Sequence, residues 1–307
     1  MKRILITPRS LAGSDHPAVR LLREQGWEIV FGPRGRLPNE KELAQLVPDC
    51  EGWLAGVEQI TTEVLDAAQQ LQVISRNGSG IDNIPVEETE RRGIAVFSAA
   101  GANAQGVAEL TLGLSLAAVR RFDLADRQLK EGKWTRSLGS ELQGKQVLVV
   151  GFGQIGRLVA HLFAAFGSIV SVVEPFSASS EPFPKVELPV GIRSVDLVTL
   201  HCPPLPNGQP LVTAELLTTS RPGLILINCA RRSLVDENAV LDLLETRQLG
   251  VYASDVFEEA GNGSSTLVGH SQVIATPHLG AYTRESVDRA ALEAAENLIR
   301  FFAHAPR

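Results

Sequence analysis

Between Lys145 and Arg157 the chain reads KQVLVVGFGQIGR. The apolar run Val147–Val150 has the character of a buried strand, glycines follow at 151, 153 and 156, and a helical pattern begins there. In a strand–turn–helix unit, Gly151 permits the tight turn and Gly153 lets a pyrophosphate approach the backbone. Gly156 lets helix and strand pack closely. The amides opening the helix, at Gln154 and Ile155, face the phosphates with the positive end of the helix dipole. Val170–Val173 reads as a second buried strand ending at Glu174, 18 residues past Gly156, where a carboxylate binds an adenosine ribose diol. Strand, glycine turn, helix, strand and acid together predict a dinucleotide site.

Length and charge bound the remainder. A chain of 307 residues accommodates two domains, each with its own core. A formal net charge of −6 leaves no basic excess for neutralising phosphates, so no nucleic-acid partner is expected. The apolar run near the N-terminus is interrupted by Arg9 and is too short for a signal peptide. No run approaches the length of a membrane span. Cys50, Cys202 and Cys229 are scattered and odd in number, which suits a reduced, cytoplasmic protein.

In order along the chain, strands are expected at 3–7, 27–31, 52–55, 73–75 and 94–97, alternating with helices at 17–25, 40–47 and 62–69. This is the pattern of parallel β-α units covered on both faces. A long helical pattern runs from about Ala104 towards Lys130, apolar around much of its circumference at first. After Glu174 the stretch PFSASSEPFP reads as a solvated loop. Further strands are expected at 196–200, 224–228, 250–254 and 273–275, and a last helix at 292–302. The fold class is therefore α/β, with two Rossmann-like or flavodoxin-like parallel-sheet domains.

Ligands of open parallel sheets bind beyond the C-terminal ends of the strands. Glu174, His201, Asn228–Arg231, Asp255 and Thr276–His278 all fall at such ends. Taken singly, each has a bland reading as a satisfied structural group or a surface charge; taken together they describe one crevice. Competing chemistries fit poorly. GSELQGKQ (139–146) places Gln146 where a P-loop needs Ser or Thr, and it precedes its strand. Gly78-Ser79-Gly80 does not complete a nucleophile elbow. The six histidines lack zinc spacing, so no metal is expected.

The chain resembles the D-isomer-specific 2-hydroxyacid dehydrogenase family over nearly its whole length. The stretches that carry the resemblance are RNGSGIDNI (76–84), GANAQGVAELTLGL (101–114), GFGQIGR (151–157), LVTLHCP (197–203), INCARRSLVDE (227–237), ASDVF (253–257) and TPHLGAYT (276–283). The resemblance implies a substrate domain at 1–100 and 281–307 and an NAD-binding domain at 101–280, with the active-site cleft between them. It also implies reversible hydride transfer between NAD and C2 of a small 2-hydroxy or 2-keto acid. On this reading Arg231 holds the substrate carboxylate and polarises its carbonyl, a task suited to a planar, permanently charged fork. His278 gives a proton to the carbonyl oxygen or takes it back, since histidine is the residue type that exchanges protons in the physiological range. Asn77, Gly78, Ser79 and Gly80 form the carboxylate-binding turn, and Asn103 contacts substrate hydroxyls. Asp255, Gly280 and the backbone of Cys229 and Ala230 lie near the nicotinamide. The His201-Cys202-Pro203 turn borders the adenosine. A homodimer joined through the 104–130 helix is expected from the family, although the helix would equally suit an interdomain position.

Family members usually pair the histidine with a glutamate in Asp-Val-Phe-x-x-Glu-Pro. Counting from Asp255 reaches Ala260-Gly261 here, whereas counting back from His278 reaches Glu259. A one-residue loop deletion reconciles the counts, so Glu259 is the expected partner and Glu258 the alternative; both are also readable as solvated acids. Glu174 is followed by Pro175-Phe176-Ser177 with no cation for a 2′-phosphate, which predicts NAD over NADP. The substrate tail stays open. Where phosphoglycerate dehydrogenases often carry Arg-Ser, this chain has Ala55-Gly56, yet GANAQGVAELT resembles that branch, and Arg9 or Arg76 are candidate cations. The sequence ends just after the closing helix, so a C-terminal regulatory domain with serine feedback is not expected. A phosphoglycerate dehydrogenase-type activity, a dinucleotide-sensing corepressor-like protein and a phosphite-oxidising enzyme are the alternatives.

Overall fold

The computed structural model describes residues 1–176, 179–257 and 266–304. It divides into two compact units, Met1–Asn103 with Thr283–Arg307, and Ala104–Tyr282. The first unit begins with β1 (Arg3–Ile6), α1 (Pro17–Glu24), β2 (Glu28–Phe31), α2 (Glu40–Leu46) and β3 (Gly52–Ala55). It continues through α3 (Thr62–Ala67), β4 (Val73–Arg76), α4 (Val86–Arg91) and β5 (Ala95–Ser98). The second unit opens with α5 (Ala104–Arg120) and α6 (Phe122–Lys130), followed by β6 (Gln146–Val150), α7 (Gln154–Ala165) and β7 (Ile169–Val173). Then come α8 (Leu188–Gly191), β8 (Leu197–Leu200), α9 (Ala214–Thr218), β9 (Leu224–Asn228), α10 (Glu237–Glu245), β10 (Leu249–Ser254) and β11 (Val273–Ala275). The chain returns to the first unit with α11 (Arg284–His304).

All named strands pair in parallel. The first sheet has the order β2-β1-β3-β4-β5 and the second β11-β10-β9-β8-β6-β7. A single parallel bridge, Val172 to Lys185, adds a rudimentary strand outside β7. Counting that bridge third, the second sheet runs 3-2-1-4-5-6 with one further strand, the dinucleotide-domain order. The bridge lies just past the Pro/Ser-rich stretch expected to be a solvated loop. Two bonds of 2.9 Å hold it, from the Val172 amide to the Pro184 carbonyl and from the Val186 amide to the Val172 carbonyl.

Both faces of each sheet are covered, which is why the strands read as unbroken apolar runs. In β6, Val147 and Val149 face a core shared with Val159, Ala160 and Phe163 of α7. Leu148 and Val150 face the opposite core with Leu226 and Tyr252. In the first unit, Ala291, Ala294, Ala295 and Leu298 of α11 pack with Ile4, Ile6, Leu54 and Val73. Alanine at this spacing lets the helix lie close to the sheet.

Two expected boundaries move. The helix expected over 104–130 breaks at Arg121, whose backbone is left-handed at φ 53°. Its side chain reaches Asp123 and the Ser271 carbonyl, the latter at 2.7 Å, and these contacts hold the break. The terminal helix starts at Arg284 rather than 292 because its first turns are charged outward while Ser286, Ala290 and Ala291 are buried.

Candidate functional site

The C-terminal edge of the second sheet carries polar residues at the end of each named strand except β6, where the glycine turn stands. Reading across it, β7 ends at Glu174, β6 at the glycine turn, β8 at His201, β9 at Asn228–Arg231, β10 at Asp255 and β11 at Thr276–His278. Neighbouring strands stand about 4.8 Å apart, so the row suits an extended ligand.

The three glycines differ in what they permit. Gly151 has φ +92°, and a Cβ there would lie 2.6 Å from the His201 carbonyl oxygen and 2.8 Å from the Cys202 nitrogen. A Cβ on Gly156 would lie 1.9 Å from the Gly151 carbonyl oxygen. Gly153 is exposed, precedes α7 as its cap, and a Cβ there would meet nothing within 4 Å. The outer two glycines are thus demanded by packing, whereas no described atom demands the middle one. Gln154 is exposed on the first turn of α7 and Ile155 is half-buried. The Glu174 carboxylate is fixed by two amides, Phe152 at 3.0 Å and Phe176 at 2.9 Å, which tie it to the turn. His201 Nε2 pairs with Thr199 Oγ1 at 2.8 Å, while its Nδ1 is buried without a partner among the described residues. Burial pushes this imidazole down to about 3. Cys202 is half-buried, and Pro203 is exposed beside it.

Beyond β9, buried Asn228 shapes the turn that carries Arg231. Its Oδ1 accepts the Ala230 amide at 3.1 Å and its Nδ2 donates to the Arg231 carbonyl at 2.9 Å. Arg231 Nη1 donates to the Ala230 carbonyl at 2.8 Å. Burial pushes the neighbouring Cys229 thiol up to about 12, and that of Cys202 up to about 11.

At the end of β11, His278 is exposed and its backbone is left-handed at φ 56°. That conformation costs a non-glycine residue on the order of 1 kcal/mol or more, and it persists only where the surroundings enforce it. Asp255, 2% exposed at the end of β10, does so. One carboxylate oxygen accepts the Thr276 hydroxyl at 2.5 Å and the Leu279 amide at 2.7 Å; the other accepts the Gly280 amide at 2.8 Å. The acid therefore grips the turn on both sides of His278. Sequence reasoning placed Asp255 near the nicotinamide carboxamide and missed this clamp; the polar Thr276 three residues before Leu279 was its only signal. Glu258 and Glu259 lie outside the described residues.

In the first unit, Asn77–Gly80 follow β4, and the Asn77 amide donates to the Ala55 carbonyl at 2.8 Å. Gly78, at φ +144°, passes beside the Arg76 guanidinium. Ser79 Oγ donates to Asn103 Oδ1 at 2.6 Å, so two of the expected substrate residues meet each other. Among the described residues, the Ser79 and Gly80 amides donate to no carbonyl or side chain. No described cluster of three or more His, Cys, Asp or Glu could hold a metal ion.

Residues 112–280 match the model of the D-isomer specific 2-hydroxyacid dehydrogenase NAD binding domain. The chain belongs to this family. The matched domain is an NAD-binding one, and the geometry fits such a ligand: an open middle glycine at a helix N-terminus, with a fixed carboxylate one strand away. D-3-phosphoglycerate dehydrogenase of Sus scrofa is 35% identical over 93% of this chain, which spans 54% of that relative's length. The chain thus covers about half of such relatives. Among solved structures, the TT0316 protein from Thermus thermophilus superposes with a TM-score of 0.89 at 33% identity, covering 98% of this chain and 97% of that one. An NADPH-dependent glyoxylate/hydroxypyruvate reductase from Sinorhizobium meliloti superposes at 0.84 with 25% identity, covering 99% and 96%.

Proposed function

We propose that this protein is an NAD-dependent dehydrogenase acting reversibly at C2 of a small 2-hydroxy or 2-keto acid. The observation that carries the reading is His278, an exposed histidine held in left-handed backbone by the Asp255 clamp. It stands two strands from an arginine whose turn is shaped by a buried asparagine. Bound NAD supplies or accepts the hydride. Arg231 binds the substrate carboxylate and draws electron density from the carbonyl. His278 delivers a proton to the carbonyl oxygen during reduction and removes it from the hydroxyl during oxidation. The Ser79 and Gly80 amides, lacking acceptors of their own among the described residues, bind the carboxylate, and Glu259 is the proposed partner of the histidine.

Glu174 supports NAD over NADP, because a carboxylate fixed by two amides cannot swing away from a 2′-phosphate. A homodimer is proposed from the segment after α5. No residue of α6 is buried, and Leu129, Trp134 and Leu138 are 57%, 83% and 103% exposed. Free Cys50, Cys202 and Cys229 support a reducing, cytoplasmic setting, and no described helix is long and apolar enough to cross a membrane.

The phosphoglycerate dehydrogenase relatives favour a second reading, a phosphorylated hydroxy acid as substrate. One panel tests both. NADH oxidation is followed with pyruvate, glyoxylate, hydroxypyruvate and 3-phosphohydroxypyruvate, and NAD reduction with phosphite. Turnover of a 2-keto acid that is lost in His278→Asn supports the proposal. NADH binding without turnover of any of them would favour a dinucleotide sensor.

A further inference from the structure

Arg231 is followed directly by a second arginine, and the proposed chemistry gives Arg232 no task. Arg232 donates from both Nε and Nη2 to one carboxylate oxygen of Glu237, at 2.9 Å and 2.8 Å. The Glu237 side chain is only 13% exposed, and its other oxygen is buried with no hydrogen-bond partner among the described residues. A carboxylate enclosed in this way is costly unless a cation answers it. The pairing with Arg232 is therefore part of the fold, unlike a loose surface ion pair.

Glu237 stands on a fixed support. It opens α10, whose N-cap Asp236 accepts the Asn238 and Ala239 amides at 3.1 Å and 3.3 Å, and Ala239, Val240 and Leu244 of that helix are buried. The segment from Arg231 to Glu237 is short and tied along its length. The Leu234 amide donates to the Arg231 carbonyl at 3.2 Å, and the Val235 amide to the Arg232 carbonyl at 3.1 Å. A parallel bridge between Val235 and Val212 fastens its far end. From the strand side, Asn228 Nδ2 holds the Arg231 carbonyl at 2.9 Å. Arg231 thus sits between two side-chain anchors: Asn228 acts on it directly, and Glu237 acts on its next neighbour.

We propose that Glu237 is a positioning residue for the reaction: by holding Arg232 it fixes the turn from which Arg231 takes the substrate carboxylate. The inference rests on the dehydrogenase reading above and adds a residue to its substrate site. Recognition of a carboxylate by a guanidinium is directional, because the planar fork must align with two oxygens. A turn displaced by about 1 Å loses that alignment, at a cost of up to about a hundredfold in rate. The glycine turn follows β6, two strands away from β9 in the sheet, so NADH affinity is expected to survive loss of the contact.

The test uses the 2-keto acid of the panel above that the wild-type chain reduces fastest, with NADH affinity followed by fluorescence. Glu237→Ala leaves Arg232, 41% exposed, to be hydrated, so the variant is expected to fold. Its kcat/KM should fall at least about tenfold, mainly as a raised KM for the keto acid, with NADH affinity within about threefold. Glu237→Gln keeps an acceptor for Arg232 and should recover most of that loss. The double variant Arg232→Ala/Glu237→Ala leaves no buried charge, and it gives the same readout if the single variant melts low. It should be no slower than Glu237→Ala, because both side chains act through one contact. Wild-type kcat/KM in Glu237→Ala or in the double variant would overturn the proposal. So would a Glu237→Ala protein whose NADH affinity falls in step with kcat/KM, which is the mark of a general support. If the wild-type chain reduces no 2-keto acid while NADH still binds, the dehydrogenase reading fails and this inference falls with it.

Discussion

Asp255 Oδ2 accepts the Gly280 amide at 2.8 Å, closing a loop of backbone whose outermost residue is His278. With the Leu279 amide and Thr276 hydroxyl on the other oxygen, three donors are satisfied by one buried acid. Asp255→Asn replaces one acceptor by a donor that faces an amide. The expected cost is about 1–3 kcal/mol of stability and more than about tenfold in kcat/KM, with NADH affinity nearly unchanged. Fluorescence titration of NADH checks the last point. A large loss of NADH affinity with kcat preserved would place Asp255 at the cofactor instead.

Gly153 and Gly156 make a contrasting pair. Gly156→Ala drives a methyl group into the Gly151 carbonyl, so the chain is expected to lose about 3 kcal/mol or more or to fail to fold. Gly153→Ala meets no protein atom within 4 Å, so its melting temperature should stay close to that of the wild type. Its NADH affinity should nevertheless fall at least about tenfold, because the methyl group occupies the phosphate approach. Equal NADH affinity in Gly153→Ala and wild type would refute the assignment of that glycine.

The contrast also marks what was legible in the sequence. Period and composition were enough for the strands, because a parallel sheet covered on both faces forces apolar runs such as Val147–Val150. The residues at strand ends were readable for the same reason. What they do to one another was not. Asp255 and Gly280 are 25 residues apart, and only the pairing of β10 with β11 brings them together. Asn228 was readable as one of the polar strand ends, but its carboxamide's shaping of the Arg231 turn was not. Local pattern also failed at Arg121, where a positive φ is enforced by Ser271, 150 residues away.

His201 makes stability depend on pH. Its folded imidazole is pushed down to about 3 by burial, below the value of about 6.5 expected in an unfolded chain. Between those values the unfolded chain binds a proton that the folded chain does not, so stability rises with pH across the window. The contribution is fully present above about pH 6.5 and is lost progressively as pH falls towards 3. At pH 5 the loss is on the order of 2 kcal/mol. His201→Asn should therefore flatten the fall in melting temperature between pH 6.5 and 4. Parallel profiles for the variant and the wild type would show that the imidazole is hydrated rather than buried.

Glu174 should set the choice between NAD and NADP. Its oxygens are turned towards the Phe152 and Phe176 amides, so the carboxylate is part of the glycine turn's own framework. A ribose diol can donate to oxygens held in this way, whereas a 2′-phosphate would bring about two negative charges against a fixed third. Glu174→Gln keeps the shape and removes the charge. With NADH its kcat/KM should fall about tenfold, the scale of one hydrogen bond to a charged group. With NADPH it should rise, because the repulsion is gone. The ratio of the two is the decisive quantity, since a merely loosened turn would weaken both cofactors together. A Glu174→Gln protein with both values reduced by the same factor would reduce the residue to a support for the turn. An increased NADPH value would identify the carboxylate as the discriminating group.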